Sequence, residues 1–306
     1  MLGGKQKKYI FAFGTIQQYR AGWCAVKKRA VYTVWAIWFA IALLCQVAMS
    51  DGFDATFFAF PVNVALLLLC GVVLWVLCRE KPNTALIVAL SAPSATFLLI
   101  SVVAATCLVL GLTSWLKPAS WWFLFVFTAL IAHLAIVTFR GLRSGKPNRL
   151  RFVLNHAGLL LALVGGFAGS ADAGQWRLRV ADGGVTSEAY AKEGGAIRLQ
   201  HEIGMERFDV EYYADGNPAD YEAHLTIDGK AVAVKVNRPY ALSALDNLYL
   251  VDYEHVPAGE RVGYCTLEIV RQPWKYLLWT GIVMMLAGSV LLFAQKASET
   301  KNFEMR

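Results

Sequence analysis

Six long runs of apolar residues, nearly free of charge, constrain this chain more than any other feature of its sequence. They are Val31–Ala48, Phe58–Cys78, Ala85–Leu112, Trp121–Phe139, Phe152–Ala171 and Trp274–Phe293. A helix that crosses a bilayer needs about 20 such residues. With no water in the hydrocarbon, its backbone polar groups must be paired internally. The expected architecture is therefore an α-helical polytopic membrane protein of about six spans. The third run is overlong and contains Pro93, so its first turns read as a kinked or interfacial entry, with the span proper from about Ser94. Composition agrees, since 57% of residues are hydrophobic and the mean hydropathy is +0.46, above the roughly 45–50% apolar content of soluble domains.

The formal charge of +7 is unevenly placed. Residues 172–272 hold 17 Asp and Glu against 10 Lys and Arg, while the rest holds 5 acids and 19 bases. Those bases flank the apolar runs, so they read as topology signals and not as a nucleic-acid surface. One side carries Lys5, Lys7, Lys8, Lys27, Lys28, Arg29, Arg79, Lys81, Arg140, Arg143, Lys146, Arg149, Arg151, Lys296, Lys301 and Arg306. The short loops opposite hold Asp51 and Asp54, or Lys117 alone. Alternating spans then place both termini in the cytoplasm, with an aromatic belt of Trp115, Trp121, Trp122, Trp274, Tyr276 and Trp279 at the outer interface. The first apolar run follows thirty mostly polar residues and lacks a small-residue cleavage site, so its helix is expected to be retained. Residues 1–30 form a basic cytoplasmic segment that could include a surface helix through Ile10, Phe13 and Trp23.

Between the last two spans, residues 172–272 read as an extracytoplasmic β-rich domain. Strands are expected at Trp176–Val180, Ala196–Glu202, Phe208–Tyr213, Ala223–Ile227, Ala231–Val236, Leu248–Tyr253 and Tyr264–Val270. Asp228-Gly229 between alternating runs predicts a two-residue hairpin, and Ala214–Asp220 predicts a loop. Strand order does not follow from the pattern.

An ionisable group inside a membrane is costly and is a marker of function. His133 in the fourth span and His156 in the fifth stand out. Counted from the basic ends, they lie roughly 10 and 8 Å inside the apolar core. Two imidazoles on neighbouring helices could ligate a metal or haem iron, or simply hydrogen-bond across helices. In the fifth span Gly158, Ala162, Gly166 and Ser170 recur every fourth position, with Gly165 and Gly169 alongside, a pattern that lets backbones approach. His201, His224 and His255 read as strand or surface histidines, and Cys265 as a buried thiol. The other cysteines, Cys24, Cys45, Cys70, Cys78 and Cys107, form no CxxC pair and suit apolar packing. No zinc motif, P-loop, GxGxxG turn or Ser/His/Asp arrangement is present, and no side chain reads as a catalytic acid, base or nucleophile.

From Ser91 onward the parts resemble the ResB/CcsB family of System II cytochrome c biogenesis. The resemblance rests on the SAPSATFLLI span, the SWWFLFVF span ending in Arg140-Gly-Leu-Arg143, and the span opening with Asn155-His156-Ala157-Gly158. VNRPYAL (Val236–Leu242), LYLVDYE (Leu248–Glu254) and YCTLEIVRQPW (Tyr264–Trp274) follow in order. It covers roughly residues 91–295, with ResB-like helices in 84–171, the β-rich domain in 172–272, the last span in 273–295 and a cytoplasmic tail in 296–306. Residues 31–83 would be an additional N-terminal pair of spans. The resemblance implies a haem-handling, non-catalytic subunit of a cytochrome c synthase in the bacterial cytoplasmic membrane. It would carry haem b in transit, with His156 matching the family's haem-iron ligand; His133 matches none. It further implies a CcsA-type partner bearing the WWD segment that this chain lacks, an apocytochrome c with its CxxCH thiols, and a thioredoxin-like thiol reductant. Two other readings stay open: a haem-free membrane-anchored sensor, and a cytochrome-b-like carrier using both His133 and His156.

Overall fold

The structure, a computed structural model, describes residue 29 and residues 31–114, 116–143, 149–191, 194–257 and 259–304, with side chains as far as residue 294. The N-terminal surface helix expected through Ile10, Phe13 and Trp23 lies outside the described residues. Two compact units emerge: Met1–Ala171 with Tyr276–Arg306, and Asp172–Lys275.

The first unit contains α1 (Val31–Ala48), α2 (Val62–Glu80), α3 (Ala85–Leu90), α4 (Pro93–Leu112), α5 (Trp121–Arg143), α6 (Arg149–Phe167) and α7 (Lys275–Glu304). All but α3 are long and apolar enough to cross a membrane. The third apolar run is indeed broken at Pro93, which sits in the first turn of α4. Proline has no N–H to give the Ala89 carbonyl, so α3 stops after six residues and the chain restarts as α4.

Helices α1 and α2 are tied into the bundle by polar contacts. Arg143 Nη1 donates to the Cys78 and Arg79 carbonyls, each at 3.1 Å, and Arg140 Nη1 to the Pro82 carbonyl at 2.8 Å. These cations meet the free carbonyls at the C-terminal end of α2, where the helix dipole is negative. At the other end of α2, Asn63 Nδ2 donates to Ala168 O at 3.1 Å, beyond the end of α6. Trp38 Nε1 reaches the Phe125 carbonyl at 3.0 Å, holding α1 to α5.

Helices α6 and α7 meet backbone to backbone. A Cβ on Gly158 would come within 2.7 Å of Gly281 O, and one on Gly165 within 2.9 Å of Leu278 N. A Cβ on Gly281 would run into Gly158 O and the Ala162 backbone. The row in use is thus Gly158, Ala162 and Gly165. Gly166 stands aside, since a Cβ there would meet only the Leu278 Cδ1, at 3.6 Å. At 100° per residue a seven-residue step returns within about 20° of its start, and an eight-residue step misses by about 80°.

The second unit is one eight-stranded antiparallel sheet in the order β5-β4-β3-β2-β1-β8-β7-β6. Its strands are β1 (Gly174–Ala181), β2 (Val185–Ala191), β3 (Ala196–Tyr212), β4 (Pro218–Ile227), β5 (Lys230–Lys235), β6 (Tyr240–Ala241), β7 (Asp246–Tyr253) and β8 (Tyr264–Arg271). Asp228 and Gly229 form the expected hairpin, with φ of 51° and 77°. Where the sequence suggests two strands, β3 runs unbroken through a bulge between Met205 and Arg207. Gly204 there marks a close approach and not a turn, since a Cβ would meet Thr226 Oγ1 at 2.6 Å. Strand β2 escaped the sequence reading because of its seven residues only Ala189 is buried. The rings of Phe208 on β3 and Tyr221 on β4 lie 4.8 and 5.0 Å from that of Tyr253 on β7, so the sheet folds back over its own core.

Two outcomes test this packing. Gly281→Leu should destabilise the protein in detergent unfolding, by about 1–3 kcal/mol or more, because the contact leaves no room for a side chain. In the sheet, Lys235 Nζ lies 2.5 Å from Asp220 Oδ2. This hydrogen bond holds the Asp220 carboxyl below its ordinary range and raises the Lys235 ammonium. The pair's stabilisation is complete between about pH 4 and pH 10. It fades as pH falls through the depressed carboxyl value, or rises through the elevated ammonium value. Asp220→Asn should therefore make the acid unfolding of the sheet less steep, followed by near-UV circular dichroism.

Candidate functional site

His156 lies on the second turn of α6, seven residues after Arg149. Its Nδ1 is 2.9 Å from the Phe152 carbonyl. A carbonyl only accepts, so Nδ1 carries the proton, and in the neutral ring Nε2 keeps its lone pair. The imidazole also stacks on the Phe152 ring at 3.9 Å between centroids and 21° between planes. Phe152 in turn covers Gly141 of α5, where any Cβ would collide with the ring. The imidazole is thus fixed in tautomer and plane, half-buried, and its Nε2 makes no hydrogen bond among the described residues. An imidazole with one nitrogen bonded to protein can use the other to coordinate a metal. The donor set suits one axial bond to a haem iron.

His133 is differently placed. It is 4% exposed, and both of its ring nitrogens have partners. Nδ1 meets the Leu90 carbonyl at 2.5 Å, and Nε2 lies 3.0 Å from Thr96 Oγ1. Nδ1 must donate, so Nε2 accepts from the threonine hydroxyl. Leu90 O belongs to the end of α3 where the helix stops before Pro93. His133 satisfies a carbonyl that the break leaves inside the bundle.

The structure does not bring the two histidines together. Contacts of Gly141 with Phe152, and of Phe127 with Phe167, set the antiparallel register of α5 and α6. His156 is then level with Val137, and His133 with residues 160–161. The imidazoles differ in depth by about 6 Å, one helical turn, and His133 faces α3 and α4.

In the second unit, His201 Nδ1 pairs with Asp228 Oδ2 at 2.6 Å. His224 Nε2 lies 2.9 Å from Asp209 Oδ2, which also accepts from Arg207 Nη2 at 2.8 Å. His255 stacks on Tyr253. Among the described residues no three His, Cys, Asp or Glu side chains form a group that could hold a metal ion. Cys265 is fully buried on β8, and burial pushes its thiol up to about 12. Sequence reading passed over Phe152, although an aromatic four residues before a histidine on a helix is a visible signal.

Residues 143–263 match the model of the ResB-like family. No curated protein matches the chain. Among solved structures, cytochrome c heme lyase CcmF aligns with 83% of this chain at 16% identity and a TM-score of 0.36. The chain spans 44% of that structure.

Cys265 should resist alkylation in the native protein at pH 8 and react only on unfolding, as read by mass spectrometry of the labelled peptide. From Arg143 at the end of α5, through α6 and the sheet as far as Gly263, the chain is thus similar to the ResB-like family.

Proposed function

We propose that this chain is the haem-handling and scaffolding subunit of a System II cytochrome c maturation complex. Its cargo is haem b, moved across the bacterial cytoplasmic membrane and presented to the CxxCH thiols of apocytochrome c. The observation that carries the reading is the His156 imidazole, whose Nδ1–H donates to Phe152 O and whose Nε2 has no hydrogen bond among the described residues. The ResB-like match over residues 143–263, which includes His156, supports it. In this reading both termini are cytoplasmic and the sheet is extracytoplasmic, an orientation that the bias of the flanking lysines and arginines supports.

One imidazole fills one axial position of the iron. His133 is committed to Leu90 O and Thr96, so the second axial ligand comes from a CcsA-type, WWD-bearing subunit. The same commitment weighs against an internal bis-histidine site. A thioredoxin-like reductant would keep the apocytochrome thiols free, and the acidic, folded-back sheet would serve as scaffold.

Protein purified in detergent with its partner subunit should show a Soret band. His156→Ala should remove that band and abolish holocytochrome c, while His133→Ala should keep the band and lower the thermal midpoint. A colourless wild-type complex would favour the haem-free sensor. Equal loss of haem from both single variants would favour the bis-histidine carrier.

A further inference from the structure

A sheet that folds back on itself either closes into a barrel or leaves an edge, and this one stops just short of closing. Its two edge strands, β5 and β6, are consecutive in the chain. They begin to pair: Arg238 N donates to Lys235 O at 3.0 Å, across a turn in which Asn237 has a φ of 58°. Pro239 comes next and has no N–H for a ladder, so the pairing ends after one bridge. The chain then joins β7 as the two residues of β6.

The rest of β5 keeps one open side. Ile227 and Lys230 flank the two-residue turn at Asp228-Gly229, so they exchange both hydrogen bonds, as do Leu225 with Val232 and Ala223 with Val234. The bond from Val236 N to Tyr221 O, 3.1 Å, continues that alternation. The N–H and C=O of Ala231 and Ala233 therefore point away from β4, where they meet no main-chain partner among the described residues. Both alanines are exposed. The strand has no proline and no bulge to hinder a neighbour. Its two lysines stand at its ends, each beside an acid: Lys230 near Asp228, and Lys235 paired with Asp220.

We propose that the β5 edge at Ala231 and Ala233 takes up an extended segment of an unfolded, basic polypeptide as an added strand. The proposal rests on the function given above in one respect, that apocytochrome c is the polypeptide concerned. Main-chain pairing holds a chain extended without reading its sequence. The alanine methyls leave room for whatever side chains the segment carries on that face. Its alternate residues turn toward the side of Val232 and Val234, so apolar residues are favoured there. Charge selects the occupant. Residues 172–272 hold 17 acids against 10 bases, which opposes pairing with a second copy of the same domain and attracts a basic chain.

The test uses the full chain in detergent, with hydrogen exchange read at single residues by mass spectrometry. The probe is a lysine-rich synthetic peptide of about ten residues, carrying CxxCH with both thiols alkylated. In the free protein the Ala231 and Ala233 amides should exchange fast, while those of Val232 and Val234, bonded to β4, stay protected. Saturating peptide should slow exchange at Ala231 and Ala233 by about tenfold or more. Ala233→Pro removes one outward N–H and spares the ladder to β4. It should weaken peptide binding, followed by fluorescence anisotropy, about tenfold with the thermal midpoint held. If that variant does not fold, exchange on the wild-type chain decides alone. A peptide with serine at both cysteine positions should bind equally well, because the main chain carries the contact. Exchange at Ala231 and Ala233 that the peptide leaves unchanged overturns the proposal. So does protection of these amides in the free protein, which assigns the edge to a second copy if it grows with protein concentration and to closure by the chain itself if it does not. Protection by the peptide in a complex without a Soret band keeps the edge and overturns the haem reading alone.

Discussion

Inside a bilayer a backbone carbonyl that leaves its helix ladder has no water to turn to, and protein must meet it. Much of the helical unit is organised around that requirement. Pro93 ends α3 and frees Leu90 O, which His133 satisfies. The end of α2 frees the carbonyls of Cys78 and Arg79, which Arg143 satisfies. Beyond the end of α6, Ala168 O receives the Asn63 amide. Each contact joins two elements distant in sequence, so local breaks become the ties of the bundle. The first two spans, which the family resemblance left without a purpose, are held to α5 and α6 by these ties and by Trp38.

The same accounting separates two histidines that look alike in sequence. A membrane imidazole whose two nitrogens are both bonded to protein is a structural part. One with a single bonded nitrogen has a coordination site to offer. His133 lies against the broken end of α3, which takes its Nδ1 proton, while Thr96 fills its other nitrogen. His156 lies on an unbroken helix and uses its own preceding turn, so only one nitrogen is spent. Stacking on Phe152 then fixes the plane of the ring.

The β domain solves a different problem, the insertion of residues 172–275 between two helices. Its first strand pairs with its last, β1 with β8, along their whole length from Gly174↔Arg271 to Ala181↔Tyr264. The chain therefore enters and leaves the domain side by side, and Trp274 Nε1 donates to Asp172 Oδ2 at 2.5 Å where the two ends meet. The remaining strands extend from that central pair in both directions. Cys265 is buried in this core, where a thiol packs as a small apolar group and its ionised form is disfavoured.

What the sequence determined by itself is whatever depends on short-range pattern. Run length and polarity marked the six membrane-capable helices, Pro93 marked the break, and Asp228-Gly229 marked a turn that needs two left-handed residues. His156 was visible because an ionisable residue in an apolar run is conspicuous, and its motif carried the family resemblance. Tertiary structure alone decided which row of small residues faces α7, because a one-residue difference in spacing rotates a side chain by 100°. It alone decided the pairing of β1 with β8, since alternation specifies a strand but not its neighbour. It also decided the different fates of the two imidazoles. Their free or bonded nitrogens depend on a carbonyl 43 positions away in one case and four in the other.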